Sequence, residues 1–469
     1  MEIKIALPKG RLLSKTAALL DEAGWGLKGY YKDTRLYRLT SRRFSGLFLK
    51  VFQEKDVPIQ VAVGNYDFGI CGLDWVEELL VKYSSSALVK VKNLGHGAGV
   101  LYMVASRSAG VSTIEELKAK SGIIRIASEY PNLAESFASR YRLRQFSIFP
   151  LWGAAEVYPP ESADLALVPA GRGENFNYAL APLTEVLSFS AYLIANKSSW
   201  ESKDVGDILA TLYDSLDTYK EPANADKALM TEMTGGYDYG EVTGDTVWLA
   251  LPDGHQQLPT AELLSKAGIE IDDYPSAIGN RRPTAKLAGV KIKVIRPQDM
   301  PLQVANGNFD LAITGRDWLM DHLYQFPSSP VRELLDLKMG RVKIVAVVSR
   351  DLPLGNINDL RRLAAERSVP LRVASEYVNI ADKYARDNHL GMYRVIPTWG
   401  ASEAFLPEDA DLLIENTQTG RTIVKHNLKI LATLFQSTAC LIGSSLPSPN
   451  KAKRVNFIIE TLRQTVEAI

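Results

Sequence analysis

The stretch VFQEKDVPIQVAVGNYDFGICGLDW (residues 51–75) returns as VIRPQDMPLQVANGNFDLAITGRDW (residues 294–318), with 13 of the 25 positions identical. Both versions end in GxDW, and their shared aspartates Asp56 and Asp299 lie 243 positions apart. A separation this long is too great for a solenoid, whose unit repeats every roughly 20–50 residues. The chain therefore contains one protein twice, and the differences between the copies become evidence about chemistry.

Two shorter motifs extend the duplication along each copy. ASEYPN, beginning at Ala127, returns as ASEYVN at Ala374, and PLWGAAE, beginning at Pro150, returns as PTWGASE at Pro397. The offset is 247 positions in both cases, close to that of the longer stretch. The duplication therefore covers most of the chain.

The composition argues against several classes of protein. Lys+Arg and Asp+Glu both total 54 in 469 residues, so no overall charge favours nucleic acid or an anionic membrane as a partner. No run of about 18 apolar residues is present, which argues against a membrane-spanning helix. The first residues, MEIKIALPKGRLL, lack the features of a secretory signal, so we expect a cytoplasmic protein.

The cysteines and histidines do not predict a metal site. Cys71 and Cys440 occupy non-equivalent positions in the two copies, and neither belongs to a CxxC motif. The five histidines are scattered, which argues against zinc, and we name no metal ligand. We predict buried thiols in a reducing cytosol.

Each copy alternates short apolar runs with helical patterns. IKIALP (residues 3–8) is typical of a buried strand, and LLSKTAALLDEAG (residues 12–24) has the apolar spacing of a helix closed by glycine. This alternation predicts an α/β fold with mostly parallel sheets, whose ligands bind beyond the carboxyl ends of the strands. The predicted segments are a first copy over 1–220 with an inserted lobe at about 97–186, a linker over 221–245, and a second copy over 246–469 with an inserted lobe at about 341–434.

The most specific candidate site is ENTQTGRT (residues 415–422), which follows the apolar run ADLLI. A strand that ends in a loop of hydroxyls and glycine before a helix suits a phosphate, because backbone N–H groups converge there. Three threonines add short donors, and Gly420 allows close approach because it has no Cβ. The alternative, weighted equally on these residues alone, is an ordinary turn with a threonine helix cap.

The equivalent loop of the first copy is VPAGRGEN (residues 168–175), in which Gly173 matches Gly420. An alanine, an arginine and an asparagine replace the three threonines, and Glu174 replaces Arg421. A carboxylate that faces a phosphate opposes binding unless the carboxylate is paired. We therefore predict an impaired loop in the first copy.

The end of the first strand shows the opposite difference. The first copy reads LPKGRL, with Lys9 and Arg11 around a glycine, whereas the second reads LPDGHQ, with Asp253 and His255 at the same places. Two cations at a strand end and helix start suit a polyphosphate, although single surface lysines and arginines are more often simply solvated. By this comparison, the second copy has lost positive charge at the end of its first strand.

Other polar residues add weaker candidates. Arg296 of the second copy replaces Gln53 of the first, and Arg35, in DTRLYRL, is a further basic residue. Asp317, in GxDW, is either a helix N-cap or a ligand contact. Glu403, in WGASE, suits sugar hydroxyls or magnesium, and a structural hydrogen bond is equally consistent.

Together, ALPKGRL, RPQDMP, ASEY, WGASE and TQTGRT resemble the motifs of ATP phosphoribosyltransferase, the first enzyme of histidine biosynthesis. The resemblance covers nearly the whole of each copy, and each copy is similar to the short form of that enzyme, which works with a separate regulatory subunit. It implies a two-lobed architecture similar to that of type II periplasmic binding proteins. It also implies a homo-oligomer and, as a candidate partner, a regulatory subunit that resembles a histidyl-tRNA synthetase.

The resemblance implies that N1 of ATP attacks C1 of phosphoribosyl pyrophosphate (PRPP), with Mg²⁺ present and pyrophosphate leaving. The protein mainly has to orient two anionic substrates and stabilise the leaving group, so no strong base is required. By resemblance, cations neutralise the phosphates and a glutamate lies near the ribose or metal. The implied catalytic residues are Lys9, Arg11, Arg296 and Glu403, the implied nucleotide contacts are Arg35 and Asp317, and the implied PRPP contacts are Glu415, Asn416, Thr417, Gln418, Thr419, Gly420, Arg421 and Thr422.

Neither copy carries every group that the family pattern implies. Our hypothesis is one composite site per chain, in which the second copy supplies the PRPP loop and the first supplies basic residues. Two alternatives stay open on the sequence: a catalytically weak ligand-binding or regulatory paralogue, and phosphoribosyl transfer to another base.

Overall fold

The structure, a computed structural model, describes most of both copies. Arg35, a nucleotide contact by resemblance, lies outside the described residues, as does most of the predicted linker. Within the described part, no helix combines the length and the apolar character needed to cross a membrane. The described residues are 2–31, 36–84, 87–172, 174, 176, 179–218, 242–277, 279–445 and 448–468.

Strands and helices alternate through the first copy. Its strands are β1 (Ile3–Lys9), β2 (Arg38–Leu39), β3 (Leu47–Gln53), β4 (Phe68–Gly72), β5 (Leu88–Asn93), β6 (Gly99–Ser106), β7 (Ile124–Ser128), β8 (Phe146–Pro150), β9 (Leu165–Ala170), β10 (Leu180–Phe189) and β11 (Ala191–Asn196). Its helices are α1 (Leu13–Glu22), α2 (Asp56–Ala62), α3 (Leu73–Lys82), α4 (Ile114–Ala119), α5 (Pro131–Arg140), α6 (Lys197–Ser202) and α7 (Gly206–Thr218).

The second copy follows the same order. Its strands are β12 (Val247–Pro252), β13 (Ile271–Asp272), β14 (Thr284–Ala285), β15 (Val290–Ile295), β16 (Leu311–Gly315), β17 (Val331–Asp336), β18 (Val342–Ser349), β19 (Leu371–Ser375), β20 (Tyr393–Pro397), β21 (Leu412–Thr417), β22 (Leu428–Ser437) and β23 (Ala439–Ser444). Its helices are α8 (Gln257–Lys266), α9 (Met300–Ala305), α10 (Arg316–Gln325), α11 (Ile357–Glu366), α12 (Val378–Asp387), α13 (Arg421–Lys425) and α14 (Ala452–Ala468).

Each copy contains two large sheets in which most strands run in one direction. In the first sheet, ordered β2-β3-β1-β4-β11-β5, β2 and β11 run against the others. In the second sheet, ordered β10-β6-β9-β7-β8, β6 is the reversed strand. The second copy repeats this in β15-β12-β16-β23-β17 and β20-β19-β21-β18-β22, where β23 and β18 are reversed. The predicted α/β fold of two tandem, two-lobed copies is confirmed.

The second sheet of each copy is inserted into the first. In the first copy the chain leaves the first sheet after β5, builds the second sheet, and returns as β11, which pairs with β4. Strand β4 is buried along its whole length, which explains the uninterrupted apolar run FGICG in a strand covered on both faces. The inserted sheets span residues 99–189 and 342–437. The copy, linker and lobe boundaries predicted from the sequence stay predictions.

The described structure divides into two compact units that do not follow the copy boundaries. The first unit is built from the first copy without Leu151–Ser162, and it includes Trp399–Ala404 of the second copy. The second unit is built from the remainder of the second copy together with Leu151–Ser162. Each copy therefore contributes its WGAxE segment to the unit built mainly from the other copy.

The segment Leu151–Ser162 is anchored in the second unit by a buried ion-pair cluster. The fully buried Lys293 ammonium lies 2.8 Å from the Glu161 carboxylate and donates to the Tyr158 carbonyl at 3.1 Å. The Arg282 guanidinium contacts the same carboxylate at 3.0 Å and donates to two backbone carbonyls of the segment at 2.8 and 2.6 Å. Removing this carboxylate leaves buried positive charge without its partner, which is strongly destabilising.

Glu161 makes the stability of the second unit depend on pH. Burial raises its pKa, but Lys293 and Arg282 lower it more, so the pKa falls from 4.5 to about 2. A depressed carboxylate pKa stabilises the folded state above about pH 4.5, and this stabilisation is lost as the pH falls toward about 2. Glu161→Gln is expected to lower the free energy of unfolding relative to wild type. We expect this difference from wild type to be about 2 kcal/mol smaller at about pH 3 than at about pH 7, as measured by urea unfolding. A loss that does not change with pH would contradict this assignment.

Candidate functional site

A cleft in the second unit lies at the carboxyl ends of β12, β15 and β16, and its cavity volume is about 140 Å³. Asp253 follows β12, Arg296 follows β15, and Asp317 lies in the first turn of α10, which follows β16. Parallel strands place these three side chains at one edge of the sheet, where ligands bind in open α/β folds. The inserted lobe also contributes lining residues, namely Glu376, Tyr377 and Asn416.

Asp317 joins the two lobes of the second copy. Its buried carboxylate accepts hydrogen bonds from Tyr377 Oη at 2.6 Å and from Ser437 Oγ at 2.9 Å, both in the inserted lobe. Burial raises the pKa of Asp317, although the bonds from Tyr377 and Ser437 act in the opposite direction. The N-cap of α10 is Gly315 and no side chain caps it, so the N-cap alternative for Asp317 is wrong. Its predicted contact with the nucleotide stays a prediction.

Only part of the predicted loop 415–422 is a loop, because β21 continues through Thr417 and α13 begins at Arg421, which leaves residues 418–420 as the connection. Gly420 has a left-handed φ of 73°, and its N–H donates to Thr417 Oγ1 at 2.9 Å. A Cβ built on Gly420 meets nothing within 4 Å, and Gln418 and Thr419 are exposed. Gly420 itself is the N-cap of α13, so the threonine-cap alternative is wrong. Because α13 has five residues, an anion would depend on the loop N–H groups and hydroxyls more than on a helix dipole.

Two arginines share Asp253 at the cleft. The Asp253 carboxylate lies 3.0 Å from Arg281 Nη1 and 3.1 Å from Arg296 Nη1. Glu156, from the segment Leu151–Ser162, lies 3.8 Å from Arg281 Nε. The Arg296 side chain is 41% exposed, so its guanidinium is accessible to an anion in the cleft. The loss of positive charge inferred at Asp253 is therefore offset by arginines from other parts of the second copy.

The corresponding cleft of the first unit is occupied by Arg11. The guanidinium donates to Glu54 at 2.8 to 3.2 Å and to Asp74 at 2.6 and 2.7 Å, and it lies 4.7 Å from the centre of the Phe189 ring. The Glu54 and Asp74 side chains are 8% and 0% exposed. Burial lowers the pKa of Arg11, but the two carboxylates raise it more. The charge of Arg11 is thus already neutralised by the protein.

Two further differences distinguish the cleft of the first unit (the first cleft) from the cleft of the second unit (the second cleft). Where the first copy has Arg11 and its partner glutamate, the second has His255 and Pro297, which cannot form this ion pair. In the first copy's loop, the Gly171 N–H donates to the Glu174 carboxylate at 2.6 Å. The difference between the two loops is the charge of the acceptor, because the Gly420 N–H of the second copy donates to the neutral Thr417 hydroxyl.

Part of the predicted site lies together in the second unit. Arg296, Asp317 and Asn416 all line the second cleft, and Asn416 is the second residue of the loop 415–422. Arg296 comes from the first lobe of the copy and Asn416 from the inserted lobe. The cleft thus combines Arg296 with Asn416 of the candidate loop, whereas Thr417–Thr422 are not among the residues that line it.

The other described catalytic candidates, Lys9, Arg11 and Glu403, lie in the first unit. Lys9 ends β1, and its ammonium lies 5.3 Å from the centre of the Tyr37 ring, while Arg11 belongs to the ion-pair network of the first cleft. Glu403 belongs to the segment Trp399–Ala404, which packs with the first unit. Glu403 and the loop 415–422 are therefore assigned to different units.

The sequence did not indicate that Trp152 contributes to the second unit. Its ring lies 5.7 Å from that of Trp318, edge to face, and Trp318 in turn packs 4.3 Å from Tyr377. The signal available in the sequence was the WGAxE motif, which both copies keep. The exchange of this motif between units is not encoded in any local pattern, so only the tertiary structure reveals it.

The described residues do not build a metal site of their own. No group of three or more histidine, cysteine, aspartate or glutamate side chains among them is arranged to hold a metal ion. In the second cleft, Asp253 is shared by two arginines and Asp317 by two hydroxyls. These donor sets do not fit a protein-held Mg²⁺, which would have to enter with the phosphates of a substrate.

A larger cavity of about 670 Å³ lies elsewhere in the second unit, between α8 and the β13–β14 pair. Its lining includes Leu258 and Tyr274, and the ion pair of Lys286 with Glu270 lies at its edge. Neither Arg296 nor the loop 415–422 belongs to it. We place the candidate site in the smaller cleft, because Arg296 and Asn416 of the candidate loop both line it.

Two lobes of mixed α/β sheets, with Arg296 lining the cleft between them, define a two-lobed α/β protein. The sequence profile of the ATP phosphoribosyltransferase family matches residues 53–217 and 296–464, together more than half of the chain. The chain belongs to the ATP phosphoribosyltransferase family, which it matches over these two segments.

The relatives each align with about one copy of the chain. An ATP phosphoribosyltransferase from Saccharolobus solfataricus is 31% identical over 233 residues, which cover 47% of this chain and 72% of that protein. One from Chlorobaculum parvum is 30% identical over 227 residues, which cover 47% of this chain and 71% of that protein. A solved structure, the ATP phosphoribosyl transferase (HisG:HisZ) complex from Thermotoga maritima, matches 48% of this chain and 100% of its own chain, at 20% identity and a TM-score of 0.39.

Proposed function

We propose that this chain transfers the phosphoribosyl group of PRPP to N1 of ATP and releases pyrophosphate, as the first step of histidine biosynthesis. The observation that carries the proposal is that Asn416, of the candidate loop 415–422, lines the same cleft as Arg296 in a chain of this family. Loop hydroxyls and N–H groups suit the 5-phosphate of PRPP, and an accessible guanidinium suits its pyrophosphate.

One working site per chain, in the second copy's cleft, is the finer part of the proposal. In the first copy, Arg11 is neutralised by Glu54 and Asp74, and Glu174 uses a backbone donor of the loop. These contacts leave the first cleft poorly suited to a phosphorylated ligand. The hypothesis that the first copy completes the site with a cation now rests mainly on Lys9, because Arg11 already has two carboxylate partners.

Displacement at C1 of PRPP develops positive charge on the ribose and negative charge on the departing pyrophosphate. Arg296 would stabilise the leaving group, and the loop would hold the ribose through its 5-phosphate. Adenine N1 is unprotonated at neutral pH, so the proposal assigns no general base. Mg²⁺ is proposed only as a companion of the substrate phosphates.

A separate regulatory subunit, resembling a histidyl-tRNA synthetase, and a homo-oligomeric state are also part of the proposal, as is a cytoplasmic location. They rest on the similarity of each copy to the short form of the enzyme. ATP and PRPP are the proposed small-molecule partners.

The direct test measures pyrophosphate release from PRPP and ATP with the full chain, in the presence and absence of a regulatory subunit, together with PRPP binding by calorimetry. ATP-dependent release supports the proposal. PRPP binding without turnover in either condition favours a ligand-binding or regulatory paralogue, and release with another base but not with ATP favours a different transferase. No binding of PRPP would overturn every enzymatic interpretation.

Lys9→Ala tests the contribution of the first copy. We expect turnover to fall about tenfold or more, because a charge-assisted contact with a phosphate is worth about 1.5–3 kcal/mol. Lys28→Ala, which removes an exposed lysine of the same copy, is the matched control and is expected to leave turnover unchanged. Unchanged kinetics in Lys9→Ala would refute the composite site and leave the second cleft as the whole site.

A further inference from the structure

We infer that Gly153, contributed by the first copy, positions the Arg296 guanidinium in the second copy's cleft. The inference rests on the proposed function, because it concerns the arginine assigned to the pyrophosphate of PRPP. It makes Gly153 a positioning residue, which acts through Arg296 and does not itself touch a substrate.

The backbone next to Gly153 is tied to the turn that carries Arg296. The Trp152 N–H donates to both carboxylate oxygens of Asp299, at 3.0 and 3.2 Å. Asp299 is 4% exposed and is the N-cap residue of α9, three residues after Arg296. At its far end the same segment is held by the buried ion pair of Glu161 with Lys293. The segment is therefore fixed on both sides of Gly153.

Gly153 lies closer to Arg296 than a larger residue allows. A Cβ built on Gly153 would lie 3.0 Å from Arg296 Nε, and 3.6 Å from both Cγ and Nη2 of the same side chain. Contacts this short require one group to move. Gly153 is not among the residues with positive φ, so alanine brings no backbone strain. In Gly153→Ala we therefore expect the flexible Arg296 side chain to move and the fold to be retained.

The position of this guanidinium matters because it points at the cleft. Arg296 Nη1 lies 3.1 Å from the Asp253 carboxylate, which lines the same cleft, and the side chain is 41% exposed. Bonds between charged groups depend strongly on geometry, so a displaced guanidinium binds phosphate less well. At the position of Arg296 the first copy has Gln53, which supplies a natural substitution that removes the guanidinium.

The test is a double-mutant cycle between Gly153→Ala and Arg296→Gln, with PRPP binding to the full chain measured by calorimetry. We expect Gly153→Ala to weaken PRPP binding about tenfold in the wild-type background. In the Arg296→Gln background, where no guanidinium remains to be displaced, the same change is expected to have no further effect. Thermal unfolding of all four proteins checks that the fold is retained.

An equal loss of affinity in both backgrounds would overturn the inference, because Gly153 would then act without Arg296. Unchanged affinity in Gly153→Ala, with PRPP bound by the wild type, would overturn the inference alone. Failure of the wild type to bind PRPP would overturn the proposed function and the inference with it.

Discussion

Thr419→Val is expected to lower kcat/KM for PRPP about 30-fold while the fold is retained. Valine keeps the volume of threonine but removes the hydroxyl from an exposed position of the loop 415–422. A hydrogen bond to a charged phosphate contributes about 2 kcal/mol, which corresponds to about 30-fold in rate. Steady-state kinetics with varied PRPP and saturating ATP measure the effect.

Arg172→Ala is the matched control, because Arg172 stands at the position of Thr419 in the first copy. Its side chain is exposed and lies 3.6 Å from the Glu185 carboxylate, a surface pair of small energetic value. We expect kcat/KM to stay within about twofold of wild type. Similar losses in both variants would contradict a single site in the second copy, and no loss in Thr419→Val would contradict the phosphate assignment of the loop.

Arg11→Ala is expected to destabilise the first unit by about 2 kcal/mol. The change leaves Glu54 and Asp74, both buried, without the cation that holds them. Breaking a buried pair costs roughly 3–5 kcal/mol, and we expect less because the Arg11 side chain is 36% exposed. Urea unfolding, followed by tryptophan fluorescence, measures the loss.

The second copy again supplies the control. His255→Ala changes the equivalent position, which is exposed, and is expected to shift stability by less than about 0.5 kcal/mol. Adding Glu54→Gln to Arg11→Ala removes one of the two uncompensated charges and should restore part of the stability. Equal stability of Arg11→Ala and wild type would contradict the ion-pair network. Turnover of the folded Arg11→Ala variant separately tests the catalytic role that the family resemblance implies for Arg11.

The loop 415–422 and the α/β architecture were accessible from the sequence because their signals are local. An apolar run followed by threonines and Gly420 specifies a strand and a left-handed turn over a few residues. Alternation of buried strands with amphipathic helices likewise needs no long-range information. The pairing of β11 with β4 joins distant parts of the chain, and the inserted lobes drawn from the sequence stay predictions.

The role of each basic side chain could not be predicted from the sequence in the same way. Lys9 and Arg11 look alike in LPKGRL, yet Arg11 is bound by carboxylates 43 and 63 residues further along the chain. Arg296, an isolated substitution in the sequence, shares Asp253 with Arg281 and lies where a side chain at position 153 would crowd it. The electrostatic role of a side chain depends on which charges the fold brings near it, and that depends on distant residues.

By itself, the sequence determined that the chain holds two diverged copies of one α/β protein, and it predicted a phosphate loop in the second copy. Repetition, periodicity and loop composition are properties of the order of residues along the chain, so they can be recognised without knowledge of the fold. The tertiary structure decided that Leu151–Ser162 packs in the unit of the second copy, with Trp152 bound to Asp299. That contact joins residues 147 positions apart, and its stability comes from burial and ion pairs that exist only once both copies have folded.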